Sequence, residues 1–352
     1  MISQYPHLID LNDYPISWWN KIIRLGHDIK LHPQRYSHAC VYEPSTRTQM
    51  SFQSAMIRLG GNIIGFDNPS TSSVSKGESL KDTTKIVSSY SDILIIRHPQ
   101  PGAAKAAALT ADCSVVNAGD GGHLHPTQTL TDLLTLHEEK GRLDNLNVGL
   151  CGDLVNGRTV HSLCKALSAY SGNTFVLVST PNLRLPSYVK DIITASGSRY
   201  TEVSSLDEVI NDLDMLYMTR IQRERFASEA EYLAEKDTYV LDKKKLKKSR
   251  RDMIVMHPMP RVDEISVDVD EDERAVYFKQ AKYGMYVRMA LIMTLLESGS
   301  PTNLLKGAVR NGIGCQNPVC ITNSEQYLPK SFYGAGDTLE CEYCDERILL
   351  EH

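Results

Sequence analysis

Arginine stands at positions 47, 97, 158 and 220, each time with a threonine or a histidine directly beside it. A guanidinium pairs bidentately with carboxylate or phosphate, so four brought together would make a cationic cleft for anionic reactants. No cysteine nucleophile and no serine–histidine elbow accompanies them, and no residue reads as a dedicated general base. The densest stretch is 43-EPSTRTQMSF-52, where Ser45, Thr46, Arg47 and Thr48 lead into a helical pattern. Two readings fit it. Thr46 followed three residues later by Gln49 is a capping box. Alternatively, the open N–H groups of a first helical turn, its dipole and Arg47 could hold a phosphate. Taken alone, the stretch favours the cap.

These residues need elements that carry them to one place. Short apolar runs at 62–66, 93–98, 114–119, 147–153, 174–179, 215–219 and 253–258 read as buried parallel strands, each closed by a polar or glycine-rich turn. Amphipathic runs such as 129–141 and 159–172 lie between them. Such alternation implies an α/β fold of two doubly wound parallel-sheet domains, in which ligands sit beyond the carboxyl ends of strands. Those ends read Arg97-His98-Pro99, 117-NAGDGGHLHPTQ-128, 152-GDLVNGRTVHS-162, 220-RIQRER-225 and 257-HPMPR-261.

His123 and His125 are two apart, a spacing that on a loop could hint at metal, but no third ligand is evident. His98 and His161 read as structural supports, and Asp120 and Asp153 as turn residues. A long stretch, 275–298, reads as a closing helix, and 297-ESGSP-301 as a linker to a tail.

Composition narrows the class. A net charge of −5 gives no global basic field for nucleic acid. The run 243-KKKLKKSRR-251 sits before a buried strand and reads as a solvated connecting helix; 268-DVDEDE-273 reads as a surface turn. The longest apolar run, 289-MALIMTLL-296, is too short to span a bilayer. The first fifteen residues lack a basic flank and an apolar signal core, so a cytoplasmic protein is expected. Four of the eight cysteines fall in the last 38 residues, as Cys315-x4-Cys320-x20-Cys341-x2-Cys344. Two close pairs suit a closed, structural four-thiolate zinc site better than disulfides.

The strand-end motifs, in this order, resemble the aspartate carbamoyltransferases within the aspartate/ornithine carbamoyltransferase fold. The matching pieces are STRT at 45–48, SKGESLKDT at 75–83, RHPQ at 97–100, NAGDG with HPTQT across 117–129, GRTVHS at 157–162, TRIQRER at 219–225 and HPMPR at 257–261. The resemblance implies a carbamoyl-phosphate domain over 1–135, closed by a helix at 284–300, and an aspartate domain over 136–283. A zinc-ribbon-like tail with four cysteine ligands follows over 301–352. The resemblance also implies that Ser45, Thr46, Arg47 and Thr48 bind the phosphate, and that Thr48, Arg97 and His125 face the carbonyl oxygen. Gln128 and the carbonyls of Pro258 and Met259 would hold the carbamoyl NH2. Arg158, Thr159, Arg220 and Gln222 would grip aspartate, while Ser72 and Lys76 reach in from a neighbouring subunit of a homotrimer or larger homo-oligomer. No organic cofactor, membrane or nucleic-acid partner is implied.

Ornithine-specific members resemble HCLPR and SMG where this chain has HPMPR and TRIQ, and Arg220 would repel an ammonium, so the acceptor is expected to be aspartate. Gln49 and Gln53 depart from the family's usual arginine and glutamate, a loss of one helix-face ion pair. The tail, with 315-CQNPVCITNSE-325 and 341-CEYCDE-346, resembles the zinc domain of the aspartate carbamoyltransferase regulatory chain, without its nucleotide-binding domain. Nucleotide allostery from this chain alone is therefore not expected. An inactive assembly subunit and a zinc-ribbon nucleic-acid binder are the alternatives of other classes.

Overall fold

A computed structural model of the chain describes residues 7–32, 46–65, 76–223, 226, 228–235, 238–298, 305–334 and 338–349. Ser45 and Ser72 lie outside the described residues. The chain divides into two compact units, Met1–Thr127 with Met285–His352, and Gln128–Gly284.

In the first unit, α1 (Ile16–Leu31) buries Trp18, Trp19, Ile22, Ile23 and Ile29, the spacing of one helical face. Helix α2 (Thr46–Arg58) buries Thr48, Phe52, Ala55 and Met56, and α3 (Leu80–Ser88) starts where the Ser79 hydroxyl accepts from the Asp82 amide at 3.1 Å. Strand β1 (Ile93–His98) buries its four aliphatic residues. Next come α4 (Ala103–Ala108) and the wholly buried β2 (Ser114–Asp120). The two strands pair in parallel, Ile93 opposite Ser114 and Ile96 opposite Asn117, and Leu8 bridges Val116. Helix α5 (Pro126–Lys140) leads into the second unit.

That unit is built from β3 (Asn147–Cys151), α6 (Arg158–Ser168), β4 (Thr174–Val178), α7 (Ser187–Ala195), β5 (Arg199–Val203), β6 (Met215–Met218), α8 (Glu229–Glu235), α9 (Lys243–Leu246) and β7 (Ile254–Met256). Its sheet is parallel, in the order β5-β4-β3-β6-β7. Chain order therefore reverses between β3 and β6, the switch point beyond which α/β sheets receive ligands. Helix α10 (Tyr277–Leu296) brings the chain back to the first unit.

The tail holds β8 (Ala308–Val309), the short α11 (Ile321–Ser324), β9 (Ser331–Tyr333), β10 (Thr338–Cys341) and β11 (Arg347–Leu349), in an antiparallel sheet ordered β11-β10-β9-β8. It packs against α4. Ala103 and Ala106 share a core with Cys320, Ile321, Phe332 and Tyr343, while Ala104, Ala107 and Ala108 face Leu94, Ile96 and Val115. Alanine is what lets one short helix be covered on both sides. Gly102, at φ 86°, has the Tyr343 Cβ only 2.6 Å from where its own Cβ would be.

Two expectations change. Of the expected first strand at 62–66, residues 62–65 form no regular structure, with Ile64 44% exposed, and Phe66 lies outside the described residues. Strand β5 was not expected; four of its five residues are exposed, so it lacks the apolar run of a buried strand. The acidic run is also more than a turn. It forms a short 3-10 helix whose Asp270 pairs with Arg261, and beyond it Asp272 pairs with Arg274.

Candidate active site

In the first unit, Thr46, Arg47 and Thr48 open α2, so the N–H groups without intrahelical partners belong to this turn. Arg97 leaves the end of β1, its Nη1 3.5 Å from the Ala118 carbonyl. Partial burial, and then the charge of Arg97, lower the pKa of Arg47. A guanidinium whose charge is disfavoured by burial and by a second guanidinium nearby marks a place where an anion is stabilising. His125 is buried, with Nδ1 3.4 Å from the Thr127 hydroxyl. Lys76 is exposed just ahead of α3.

Arg288 on α10 supports this face. It is 5% exposed, donates to Ser51 at 3.2 Å and to Thr127 at 3.5 Å, and stacks 5.1 Å over Phe52. Asp120 is 2% exposed, so it is a buried anchor rather than a simple turn residue. His98 is a support, its Nδ1 accepting from the Gln100 amide at 3.1 Å.

In the second unit the loops after β3 and β6, neighbours at the switch point, are stitched together. Asp153 accepts from the Asn156 amide at 2.9 Å and the Gln222 amide at 3.4 Å, and Gln222 Nε2 donates to the Asn156 carbonyl at 3.0 Å. Gly152, at φ 119°, lets the loops approach, since a Cβ there would lie 2.3 Å from the Thr219 carbonyl oxygen. Arg158 and Thr159 then open α6, and Arg220 follows Thr219. His161 is structural: Nε2 donates to the Leu154 carbonyl at 2.7 Å, and Tyr188 donates to Nδ1 at 2.9 Å.

A buried carboxylate organises the rest. Asp132 is fully buried and accepts from Gln128 at 2.8 Å, Gln280 at 2.7 Å and Tyr217 at 2.9 Å. Because Gln128 spends its NH2 on Asp132, its carbonyl oxygen faces the other way. Gln280 in turn accepts from the His257 amide at 2.9 Å, and His257 Nδ1 accepts from the Met259 amide at 2.8 Å. That leaves the His257 proton on Nε2, 2.7 Å from Glu264. Burial raises the Glu264 pKa, but the His257 hydrogen bond and charge and nearby amides outweigh it and bring it below its ordinary value. Met259 is held at φ 54°, an unfavourable conformation for a non-glycine residue. Asp132, Tyr217, Glu264 and Gln280 were not singled out from sequence. Their partners lie as far as 148 residues away, so no local spacing marks them.

In the tail, the Sγ atoms of Cys315, Cys320, Cys341 and Cys344 lie within 4.8 Å of one another, all four cysteines buried and in no disulfide. A tetrahedral ion with metal–sulfur bonds of about 2.3 Å sets sulfur–sulfur separations of this size. Hydrogen bonds from Cys315, Cys341 and Cys344 hold Cys320 far below the usual thiol value, while Cys315, Cys320 and Cys341 push Cys344 far above it. Only a cation allows all four to be thiolates.

Comparison with known proteins joins these parts. The aspartate/ornithine carbamoyltransferase carbamoyl-P binding domain matches residues 6–138, and the Asp/Orn binding domain matches 144–295. The metal binding domain of the aspartate carbamoyltransferase regulatory chain matches 307–351. An aspartate carbamoyltransferase catalytic subunit from Clostridium perfringens is 55% identical over 299 residues, 82% of this chain and 97% of the relative. The chain belongs to the aspartate carbamoyltransferase family.

Among solved structures, the catalytic subunit of the M. jannaschii aspartate transcarbamoylase superposes with a TM-score of 0.79 at 41% identity, covering 84% of this chain and 99% of that one. An aspartate transcarbamoylase from Trypanosoma cruzi in complex with N-(phosphonacetyl)-L-aspartic acid gives 0.76 at 36% identity, over 84% and 95%. This aspartate carbamoyltransferase family member thus joins, in one chain, the two catalytic domains and a regulatory-chain metal domain. No helix among the described residues is long and apolar enough to cross a membrane.

Proposed function

We propose that the protein transfers the carbamoyl group of carbamoyl phosphate to the α-amine of L-aspartate, giving N-carbamoyl-L-aspartate and phosphate. The observation that carries this is the pairing of Arg47 with Arg97 at the opening turn of α2, where a bound phosphate offsets two neighbouring cations. Helix capping and phosphate binding then use the same donors, Ser45, Thr46, Arg47 and Thr48.

The amine attacks the carbamoyl carbon, its C–N bond forms, and charge grows on the carbonyl oxygen before the bond to phosphate breaks. Thr48, Arg97 and His125 donate to that oxygen. A Thr127 hydroxyl donating to His125 Nδ1 keeps the imidazole proton on Nε2, as such a donor needs. Gln128, with its NH2 tied to Asp132, and the carbonyls of Pro258 and Met259 accept from the carbamoyl NH2 and hold its plane. Arg158, Thr159, Arg220 and Gln222 take the aspartate carboxylates, assisted by Lys76. Holding amine and carbon at attack distance contributes alongside the donors. The departing phosphate takes the amine proton; a side chain whose neutralisation abolished turnover with binding intact would overturn that assignment.

The four-cysteine site takes zinc as a structural ion, consistent with four thiolate ligands and no open position. The enzyme works in the cytoplasm as a homotrimer or larger assembly in which Ser72 and Lys76 reach a neighbouring site. The test is ureido-product formation from carbamoyl phosphate with aspartate or ornithine as acceptor. N-carbamoyl-aspartate is expected, with ornithine turned over at least ~10²-fold more slowly because Arg220 repels its side-chain ammonium. Absence of product with aspartate overturns the reading.

A further inference from the structure

Asp120 does more than close a turn. Its Oδ1 accepts from Asn117 Nδ2 at 3.1 Å and from the Leu124 amide at 3.0 Å. Its Oδ2 accepts from the Gly102 amide at 2.8 Å and from His123 Nδ1 at 3.1 Å. The other imidazole nitrogen, His123 Nε2, lies 3.0 Å from Asp345 Oδ2, an ion pair outside the angles of a directed hydrogen bond. Burial lowers the His123 pKa, but Asp120 and then Asp345 outweigh it and push it up to about 10. A cationic imidazole is therefore held between one carboxylate of the catalytic domain and one of the tail.

Both ends of this relay are informative. Asp345 directly follows Cys344, sits at φ 59°, and donates its amide to the Cys341 carbonyl at 2.9 Å. Its carboxylate is placed by the turn that presents two of the four thiols. At the other end, Leu124 immediately precedes His125, and its amide is fixed by the carboxylate that binds His123. The exposed tail contact from the Lys306 side chain to Asp13, at 2.8 Å, involves neither Asp120 nor His123.

We propose that His123 and Asp345 are positioning residues that couple the cysteine site of the tail to the placement of His125 during carbamoyl transfer. The proposal rests on the reading of His125 as a donor to the carbonyl oxygen. With the tail turn formed, Asp345 anchors His123, His123 anchors Asp120, and Asp120 holds the backbone leading into His125. With the turn disordered, Asp120 keeps a buried histidine that has lost its second carboxylate, and the Leu124 amide is held less firmly.

The test uses the full chain with its metal content measured. Wild type, D345A, H123Q and the control K306A are compared by amide hydrogen exchange at Gly102 and Leu124, and by kcat and KM for both substrates. H123Q carries no charge and has both its N–H donors on one atom in place of two ring nitrogens, and it lies outside the tail, so it serves if D345A loses metal. Expected in metal-retaining D345A or H123Q is Leu124 exchange faster by about tenfold or more. With it goes a kcat lower by about tenfold, since small misplacement of a donor is costly, and an aspartate KM within about twofold of wild type. K306A is expected to match wild type in both. Unchanged Leu124 exchange and kcat in both variants overturn the coupling, and so does a K306A effect of equal size. The exchange measurement needs no turnover, so its outcome is separable from the wild-type assay, which tests the reaction itself.

Discussion

Arg97 stands at the end of a buried strand, close enough to Arg47 for its charge to lower the Arg47 pKa. Replacing Arg97 with alanine is expected to lower kcat by ~10²–10³. Lysine should rescue only part of it, because a point charge cannot reproduce the guanidinium fork; steady-state kinetics of both variants checks this. Asp132 acts one step back. An asparagine there offers a donor where Gln128, Gln280 and Tyr217 all donate, so at least one of those bonds must reverse or be lost. D132N should therefore lower kcat/KM for carbamoyl phosphate by about tenfold or more, while the aspartate KM moves less. Equal losses for both substrates would point to general unfolding instead. The arginines and hydroxyls were legible in sequence because they cluster in short words at strand ends. Asp132 and Gln280 were not, because their mutual contact joins residues 148 apart, and Glu264 was not, because its pairing with His257 spans an irregular loop with no period to mark it. Asp120 was legible as a turn but not as a junction, because sequence does not say which of the amides and side chains near it, or Gly102 eighteen residues back, its carboxylate takes.

Among elements, α4 is covered on one side by the β1–β2 pair and on the other by the tail. Lys105 projects from it to Glu342 at 2.8 Å, with both side chains nearly or wholly buried. Glu342 also accepts from Ser331 at 2.6 Å and from the amides of Lys306 and Gly307 at 2.8 and 2.9 Å. G102V combines a left-handed backbone with a clash against Tyr343, so it should release the tail from α4 while leaving the second unit folded. Limited proteolysis, with faster cleavage beyond residue 300, is the check.

Strand β2 carries a separate pH dependence. His7 accepts from the Val115 amide at 3.0 Å, and burial lowers its pKa to about 4 from 6.5. Below 6.5 the unfolded chain takes up a proton that the folded chain refuses. This contribution is thus complete above pH 6.5 and drains away as pH falls to about 4, a change on the order of 3 kcal/mol. Denaturant titrations of wild type and H7Q should differ in slope across that window. The main alternation of strands and helices was readable from apolar runs and their polar stops. Strand β5 escaped because an edge strand with exposed faces carries no such run, and the run at 62–66 misled because aliphatic residues also occur on exposed irregular chain.

For the molecule as a whole, the cluster of four cysteines belongs to the unit that carries Arg47, Arg97 and His125. Stripping the metal with a chelator should leave four crowded thiols without their cation and lower the unfolding temperature, by several degrees or more for each unit of lost stability. Calorimetry before and after reloading with zinc is the measurement, and a reloaded sample should regain its original transition. The cysteine spacing and the family motifs made both parts legible. The docking of one on the other was not, because the contact rests on alanines, a glycine and a lysine of α4 that have no pattern of their own.

The two-sided covering of α4 has a quantitative consequence. When such a cover is supplied by a separate chain, occupancy falls with dilution and depends on how much of each chain is made. Here the cover belongs to the same chain as the helix, so its effective concentration is set by the length of chain joining them and not by dilution. Every catalytic domain synthesised arrives with one lid for this helix, in fixed one-to-one ratio, at any expression level.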